Sequence, residues 1–131
     1  MKYSYPSGSW YDGEIVDGNF EGVGKFYFYN GDLYEGEFKD DMFHGYGIYK
    51  FKSGCSYDGV FNNDEFHGIG TYTFEDGSVE KGKFHQGKRV GKFILVSDKN
   101  YYQIIYNNDK QVDCVIIDEK NIPEDKLPSF K

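Results

Sequence analysis

Tyr34, Gly36 and Phe38 alternate with Glu35, Glu37 and Lys39, so apolar or small positions share one face and charges the other. A period of two marks a half-buried β-strand. Asp40-Asp41-Met42-Phe43-His44-Gly45 then reads as a polar turn closed by glycine. A second strand sets Gly47, Tyr49 and Phe51 against Ile48 and Lys50, and Lys52-Ser53-Gly54 turns the chain again. This pattern returns every 23 residues, at Tyr11, Tyr34 and Tyr57, and at Gly13, Gly36, Gly59 and Gly82. Gly22, Gly45, Gly68 and Gly91 keep the same spacing, as do Gly24, Gly47 and Gly70, and Gly31, Gly54 and Gly77.

Residues 11–101 therefore divide into three complete units, 11–33, 34–56 and 57–79, and a weaker fourth at 80–101. The fourth opens on Glu80 where Tyr is expected and carries Phe93 where glycine is expected. Residues 1–10 align with the second half of a unit, with Pro6 suited to an edge strand. Residues 102–117 read as a degenerate closing hairpin, because terminal repeats in such arrays are atypical. Residues 118–131 form an extended or briefly helical tail in which Leu127 and Phe130 are apolar enough to dock. Short connections favour antiparallel neighbours. The expected fold is all-β: an elongated, twisted, single-layer antiparallel meander of tandem hairpins, roughly 50 Å long at two strands per unit. Glycine in a strand costs stability; recurring at fixed places, it implies that a neighbouring ring lies over the backbone there.

Composition agrees. Aromatic residues make up 20% of the 131-residue chain, Gly numbers 17 and Ala is absent, a mixture poor for helices and good for strands and tight turns. No apolar run is long enough for a transmembrane helix, and the first residues resemble no secretory signal. Cys55 and Cys114 form neither a metal spacing nor a disulfide framework, so a reducing, cytoplasmic location is the default expectation. Charge is uneven. Residues 1–79 carry 5 Lys/Arg and 14 Asp/Glu, whereas 80–101 carry 6 and 2. An acidic body disfavours nucleic acid and broad docking on an anionic membrane.

The unit Tyr34-Glu35-Gly36-Glu37-Phe38 … Phe43-His44-Gly45-Tyr46-Gly47 … Phe51-Lys52-Ser53-Gly54 resembles the MORN (membrane occupation and recognition nexus) repeat, and 57–79 repeats it. The resemblance covers roughly residues 3–101. It implies a twisted hairpin array and no single function. Such repeats occur in ciliary radial spoke heads, junctophilins and protist cytoskeletal scaffolds, and appended to lipid kinases or lysine methyltransferases. This chain is similar to small members built of repeats alone, and that likeness points to a cytoskeletal or ciliary location.

Three function classes compete. The first is a scaffold binding protein partners, a helix or peptide, through an aromatic face formed by Trp10, Tyr11, Ile15, Tyr34, Phe38, Tyr49, Tyr57, Phe61, Tyr72 and Phe84, or through its sheet ends by end-to-end assembly. The bland alternative is that these rings pack only on each other. The second is an acidic-phospholipid tether using Lys81, Lys83, Lys88, Arg89 and Lys92, with Lys88 and Arg89 placed in a turn; against it stands a merely solvated hairpin. The third is an enzyme. His44 and His67, with Asp40, Asp41 and Asp64 nearby, recur because the repeat recurs, and no nucleophile, phosphate loop or metal spacing accompanies them. The sequence thus points to a non-catalytic protein without cofactor or metal.

Overall fold

Six connections among the described residues take only two residues, both at positive φ: Asp17-Gly18, Asp40-Asp41, Asn63-Asp64, Gln86-Gly87, Asp98-Lys99 and Asn108-Asp109. This is the hairpin turn whose twist matches the strands it joins, and Asp and Asn tolerate it. In a computed structural model that describes residues 2–128, the strands are β1 (Lys2–Ser4), β2 (Trp10–Val16), β3 (Asn19–Tyr27), β4 (Leu33–Lys39), β5 (Met42–Lys50), β6 (Ser56–Asn62), β7 (Glu65–Thr73), β8 (Val79–His85), β9 (Lys88–Ser97), β10 (Asn100–Asn107) and β11 (Lys110–Ile117). They pair in sequence order as one open antiparallel sheet, the meander expected. The turn after β4 is shorter than the expected Asp40–Gly45. The chain reverses on Asp40-Asp41, and Met42, Phe43 and His44 already lie in β5. Gly45, at φ +68, is an irregular position inside that strand, open to glycine because it has no Cβ.

Each unit solves the problem of a sheet with no second layer in the same way. Gly13 faces Gly24, Gly36 faces Gly47 and Gly59 faces Gly70 across neighbouring strands. The rings of Tyr11, Tyr34 and Tyr57 fill these gaps and are 0% exposed. Their hydroxyls donate to the carbonyls of Glu14, Glu37 and Val60 at 2.7, 2.7 and 2.8 Å, which satisfies the one polar atom each ring buries. Each ring stacks on Phe20, Phe43 or Phe66, with centroids 3.8, 3.9 and 3.9 Å apart. Each also meets the next unit edge-on, Tyr11 with Phe38, Tyr34 with Phe61 and Tyr57 with Phe84, at 5.0 to 5.1 Å. Stacked and edge-to-face pairs each add about 1 kcal/mol beyond the area they bury, so the ladder couples unit to unit.

The turns couple the units too. Asp41 Oδ1 accepts from Phe20 N at 2.7 Å, and Asp64 Oδ1 from Phe43 N at 2.8 Å. Along the opposite edge, Asp32 accepts from Lys52 N at 2.8 Å and from the Tyr49 hydroxyl at 2.8 Å.

The fourth unit departs at three coordinated positions. Glu80 stands where the ladder tyrosine belongs, Arg89 where its stacked phenylalanine belongs, and Phe93 where the facing glycine belongs. A carboxylate cannot fill the gap over Gly82, and the Phe93 ring fills it from the neighbouring strand. Glu80, 1% exposed, pairs with Arg89 Nε and accepts from the Tyr106 hydroxyl at 3.0 Å. The ladder resumes with Phe93 edge-on to Tyr106 at 5.1 Å.

After β11 the tail makes two short 3-10 turns, Glu119–Asn121 and Glu124–Lys126, and folds back over the other face of the sheet. Lys81 Nζ donates to the Asp125 carbonyl at 2.7 Å, and the Tyr101 hydroxyl bonds the Glu119 carboxylate. Ile122 and Pro128 are buried and Leu127 is half-buried, so the tail docks through these three; Phe130, expected to help, lies outside the described residues.

Burial dominates the tyrosines' acidity. It pushes Tyr11 and Tyr72 up to about 12 and Tyr34, Tyr57 and Tyr106 higher still. A phenol whose pKa is raised by folding stabilises the native state fully below its unfolded value and loses that contribution as pH rises through the folded one. The sheet is therefore expected to hold to about pH 10 and to lose stability steeply through about pH 12. Thermal melts followed beside phenolate absorbance check this; independent, non-cooperative ionisation of the ladder tyrosines with the fold intact contradicts it.

Candidate functional site

Rings half-buried at the rim of the ladder leave an open groove of about 920 Å³. Phe26, Phe28, Phe43, Tyr49, Phe51 and Phe66 form its wall, Phe20, Phe38 and Phe61 its floor, and Tyr3, Tyr5 and Ile15 close one end. A second ladder runs along the wall: Phe26 on Phe28 at 4.7 Å, Phe28 to Tyr49 at 5.6 Å, Tyr49 on Phe51 at 4.7 Å, then Phe51 to Tyr72 at 6.2 Å. These contacts leave ring faces open to solvent because, among the described residues, no second layer covers them. Asp41 and Asp64 are the acidic groups lining the groove. The Tyr49 hydroxyl stays a donor to Asp32, since burial and that carboxylate both raise its pKa well above the usual tyrosine value.

Of the rings singled out from the sequence, six belong to the core instead of to a contact surface. Tyr11, Tyr34 and Tyr57 are buried because the glycine gaps accept their whole rings, Phe84 is buried edge-on to Tyr57, and Phe38 and Phe61 are buried with only their rims at the floor of the groove. Trp10 lies on the other face. It pairs opposite Tyr27 and stacks on it at 3.7 Å, with Lys2 Nζ 4.3 Å above its ring. Ile15 and Tyr49 do line the groove, and Tyr72 continues its wall past Phe51. Phe20, Phe43, Phe66, Phe26, Phe28 and Phe51 carry the remainder. Their signal in the sequence is the same 23-residue spacing, in the columns Phe20/Phe43/Phe66 and Phe28/Phe51/Phe74.

The sheet divides the five cations of the basic cluster. Lys88 and Arg89 are the first residues of β9 and not a turn, since Gln86-Gly87 alone reverses the chain. Arg89 sits opposite Phe84 on the groove face, bound to Glu80, and its guanidinium lies 5.2 Å from Tyr72 and 5.5 Å from Phe84. Lys83 and Lys88 face the other way, as does Lys92, opposite Ile105. Lys81 shares that face, but its amine is taken by the tail. His44 and His67 lie within β5 and β7, and His67 neighbours His85 at 5.3 Å. Among the described residues no group of His, Cys, Asp and Glu is arranged to hold a metal, and no helix is long and apolar enough to cross a membrane.

A single-layer array of hairpins with ring faces left open along one side defines a tandem-hairpin repeat protein. The family model for the MORN repeat matches residues 11–33, 34–56 and 57–79, the three complete units. The chain belongs to the MORN-repeat family, a non-catalytic repeat family whose members are generally involved in protein or membrane interactions. No curated protein matches the sequence.

Proposed function

We propose that the chain is a non-catalytic scaffold that takes a segment of a protein partner into the groove. The observation that carries this reading is the open wall of Phe26, Phe28, Tyr49 and Phe51 on a sheet with no covering layer. Clustered aromatic anchors are where binding energy concentrates. The surroundings shape the partner: Asp41 and Asp64 line the groove, and residues 1–79 carry nine more acidic than basic side chains. The segment that fits presents apolar side chains flanked by basic ones. The likeness to repeat-only family members supports a cytoplasmic place in a cytoskeletal or ciliary assembly.

A second reading is contact with acidic phospholipid through Lys83, Lys88 and Lys92, which share the face opposite the groove. The two separate cleanly. Phe51→Lys, at a half-buried wall position, is expected to abolish partner capture from native extract while leaving circular dichroism unchanged. Lys83→Glu/Lys88→Glu/Lys92→Glu leaves that capture intact. Capture unaffected by Phe51→Lys, together with binding to phosphatidylserine vesicles lost in the triple variant, replaces the scaffold reading with the membrane one.

A further inference from the structure

On the face opposite the groove, one row of positions changes character along the sheet. It takes one residue from each strand from β2 to β8. Val23 pairs opposite Glu37, Tyr46 opposite Val60 and Ile69 opposite Lys83, and the facing of Gly13 and Gly24 places Glu14 beside Val23. Val23, Tyr46, Val60 and Ile69 are 63%, 53%, 39% and 50% exposed. The row thus runs from carboxylates, through apolar side chains, to an amine. The column Glu14/Glu37/Val60/Lys83 makes the same change at 23-residue spacing. The carboxylates of Glu14 and Glu37 lie against Gly22 and Gly45, and Glu37 accepts from Tyr46 N at 2.6 Å. Lys83 does not fold down in this way. Among the described residues nothing lies within 4 Å of a Cβ position on Gly91, the corresponding glycine, and Lys83 is exposed.

We propose that this face stacks on the same face of a second copy of this chain, about a two-fold axis that runs parallel to the strands above β5. The order acid, apolar, base is matched by its own reverse. Such an axis keeps each residue at its level along the strand and reverses the strand order, so β2 lies over β8, β3 over β7 and β5 over itself. Glu14 then meets Lys83 and Val23 meets Ile69, each twice, and Tyr46 meets its own copy on the axis. Stacked sheets stand about 10 Å apart, within the reach of a lysine. In the next row Glu35 comes over Asp58, but Glu35 is paired with Lys25 at 3.3 Å and Asp58 accepts from the Tyr46 hydroxyl. Other arrangements fare worse. An axis running across the strands lays each unit on its own copy, acid on acid over residues 1–79, and like charges opposed across an interface are costly. An axis above β6 lays β2–β4 on β8–β10, where the tail already bonds Lys81 and Tyr101. Stacking supplies on this face the second layer that a single sheet lacks. The two grooves open away from each other, so the dimer is bivalent. This inference does not rest on what the groove binds.

Sedimentation velocity on the full chain tests it. The expected species has twice the 15.2 kDa of the monomer, and its association weakens as salt is raised. Val23→Asp/Ile69→Asp, at exposed positions, yields a monomer with unchanged circular dichroism. Glu14→Lys and Lys83→Glu each turn two attractive contacts into repulsive ones, and each alone weakens the dimer about tenfold. An equimolar mixture of these two variants restores it as a heterodimer, because both contacts between the unlike copies again join opposite charges. A weakening caused by altered folding in either variant is not restored by mixing. A monomer at every concentration, a dimer indifferent to Val23→Asp/Ile69→Asp, or a mixture that associates no more tightly than its components overturns the proposal. Phe51→Lys leaves the dimer intact, so this test and that of the groove fail separately.

Discussion

Gly47→Ala is expected to destabilise the fold by about 3 kcal/mol, the upper range for overpacking a rigid core. One methyl group does this because of where it points. A Cβ on Gly47 would stand 2.6 Å from both Cε1 and Cζ of Tyr34. The ring cannot yield: it is fully buried, stacked on Phe43, edge-on to Phe61, and held by its hydroxyl at the Glu37 carbonyl. The useful control is Gly18→Ala. Gly18 sits at φ +82 with nothing within 4 Å of its missing Cβ, so alanine there meets only backbone strain of about 1 kcal/mol. Urea denaturation of the two variants separates crowding from conformation. A Gly47→Ala cost no larger than that of Gly18→Ala rules out the ring-over-glycine account. The cost should also shrink when Tyr34 is already Leu, since the two changes then share one space.

How much of this was legible depended on which periodicity was followed. The 23-residue columns of Tyr and Gly define the units and the meander, since alternation and short polar connections leave little other choice. Tyr34-x-Gly-x-Phe38 even shows which positions share a face. It does not say that three of the tyrosines lie flat on paired glycines and vanish from the surface. That depends on register: Gly36 opposite Gly47 creates a gap only because β4 and β5 align there. With a two-residue turn at Asp40-Asp41, Phe43 opens β5 and can stack on Tyr34; with a six-residue turn it would be a loop residue. The error in the turn thus concealed half of the core stack and, with it, the phenylalanines left to form the groove. The basic cluster misled for a similar reason. Lys83 and Lys88 share a face, but Arg89, one residue on, points the other way into the ladder. Read down the columns, Tyr11/Tyr34/Tyr57/Glu80, Phe20/Phe43/Phe66/Arg89 and Gly24/Gly47/Gly70/Phe93 change together in one unit. That joint change marks the three as neighbours.

The same coordination makes the second prediction. Glu80→Gln is expected to cost about 3 kcal/mol, because it keeps the volume but takes from the mostly buried Arg89 guanidinium its nearer carboxylate, leaving it only Asp109 at 3.4 Å. Replacing the pair by the ladder's own solution is a different matter. Exchange of a buried ion pair for well-packed apolar groups is commonly neutral or stabilising, which taken alone makes Glu80→Tyr with Arg89→Phe sufficient. It is not, because the Phe93 ring already occupies the space over Gly82 that the new tyrosine needs. The double variant is expected to be less stable than the natural chain. Adding Phe93→Gly reopens the gap, and Tyr106→Phe removes the hydroxyl left without its Glu80 acceptor. The quadruple variant should then match or exceed the natural chain in urea, with a steep single transition. A double variant as stable as the quadruple would show that Phe93 does not stand in for the ladder tyrosine. A quadruple variant no better than Glu80→Gln would show that the fourth unit is held in shape by the closing hairpin and cannot take the geometry of the first three. In either case the result decides whether the ion pair substitutes for a rung of the ladder or marks where the regular array ends.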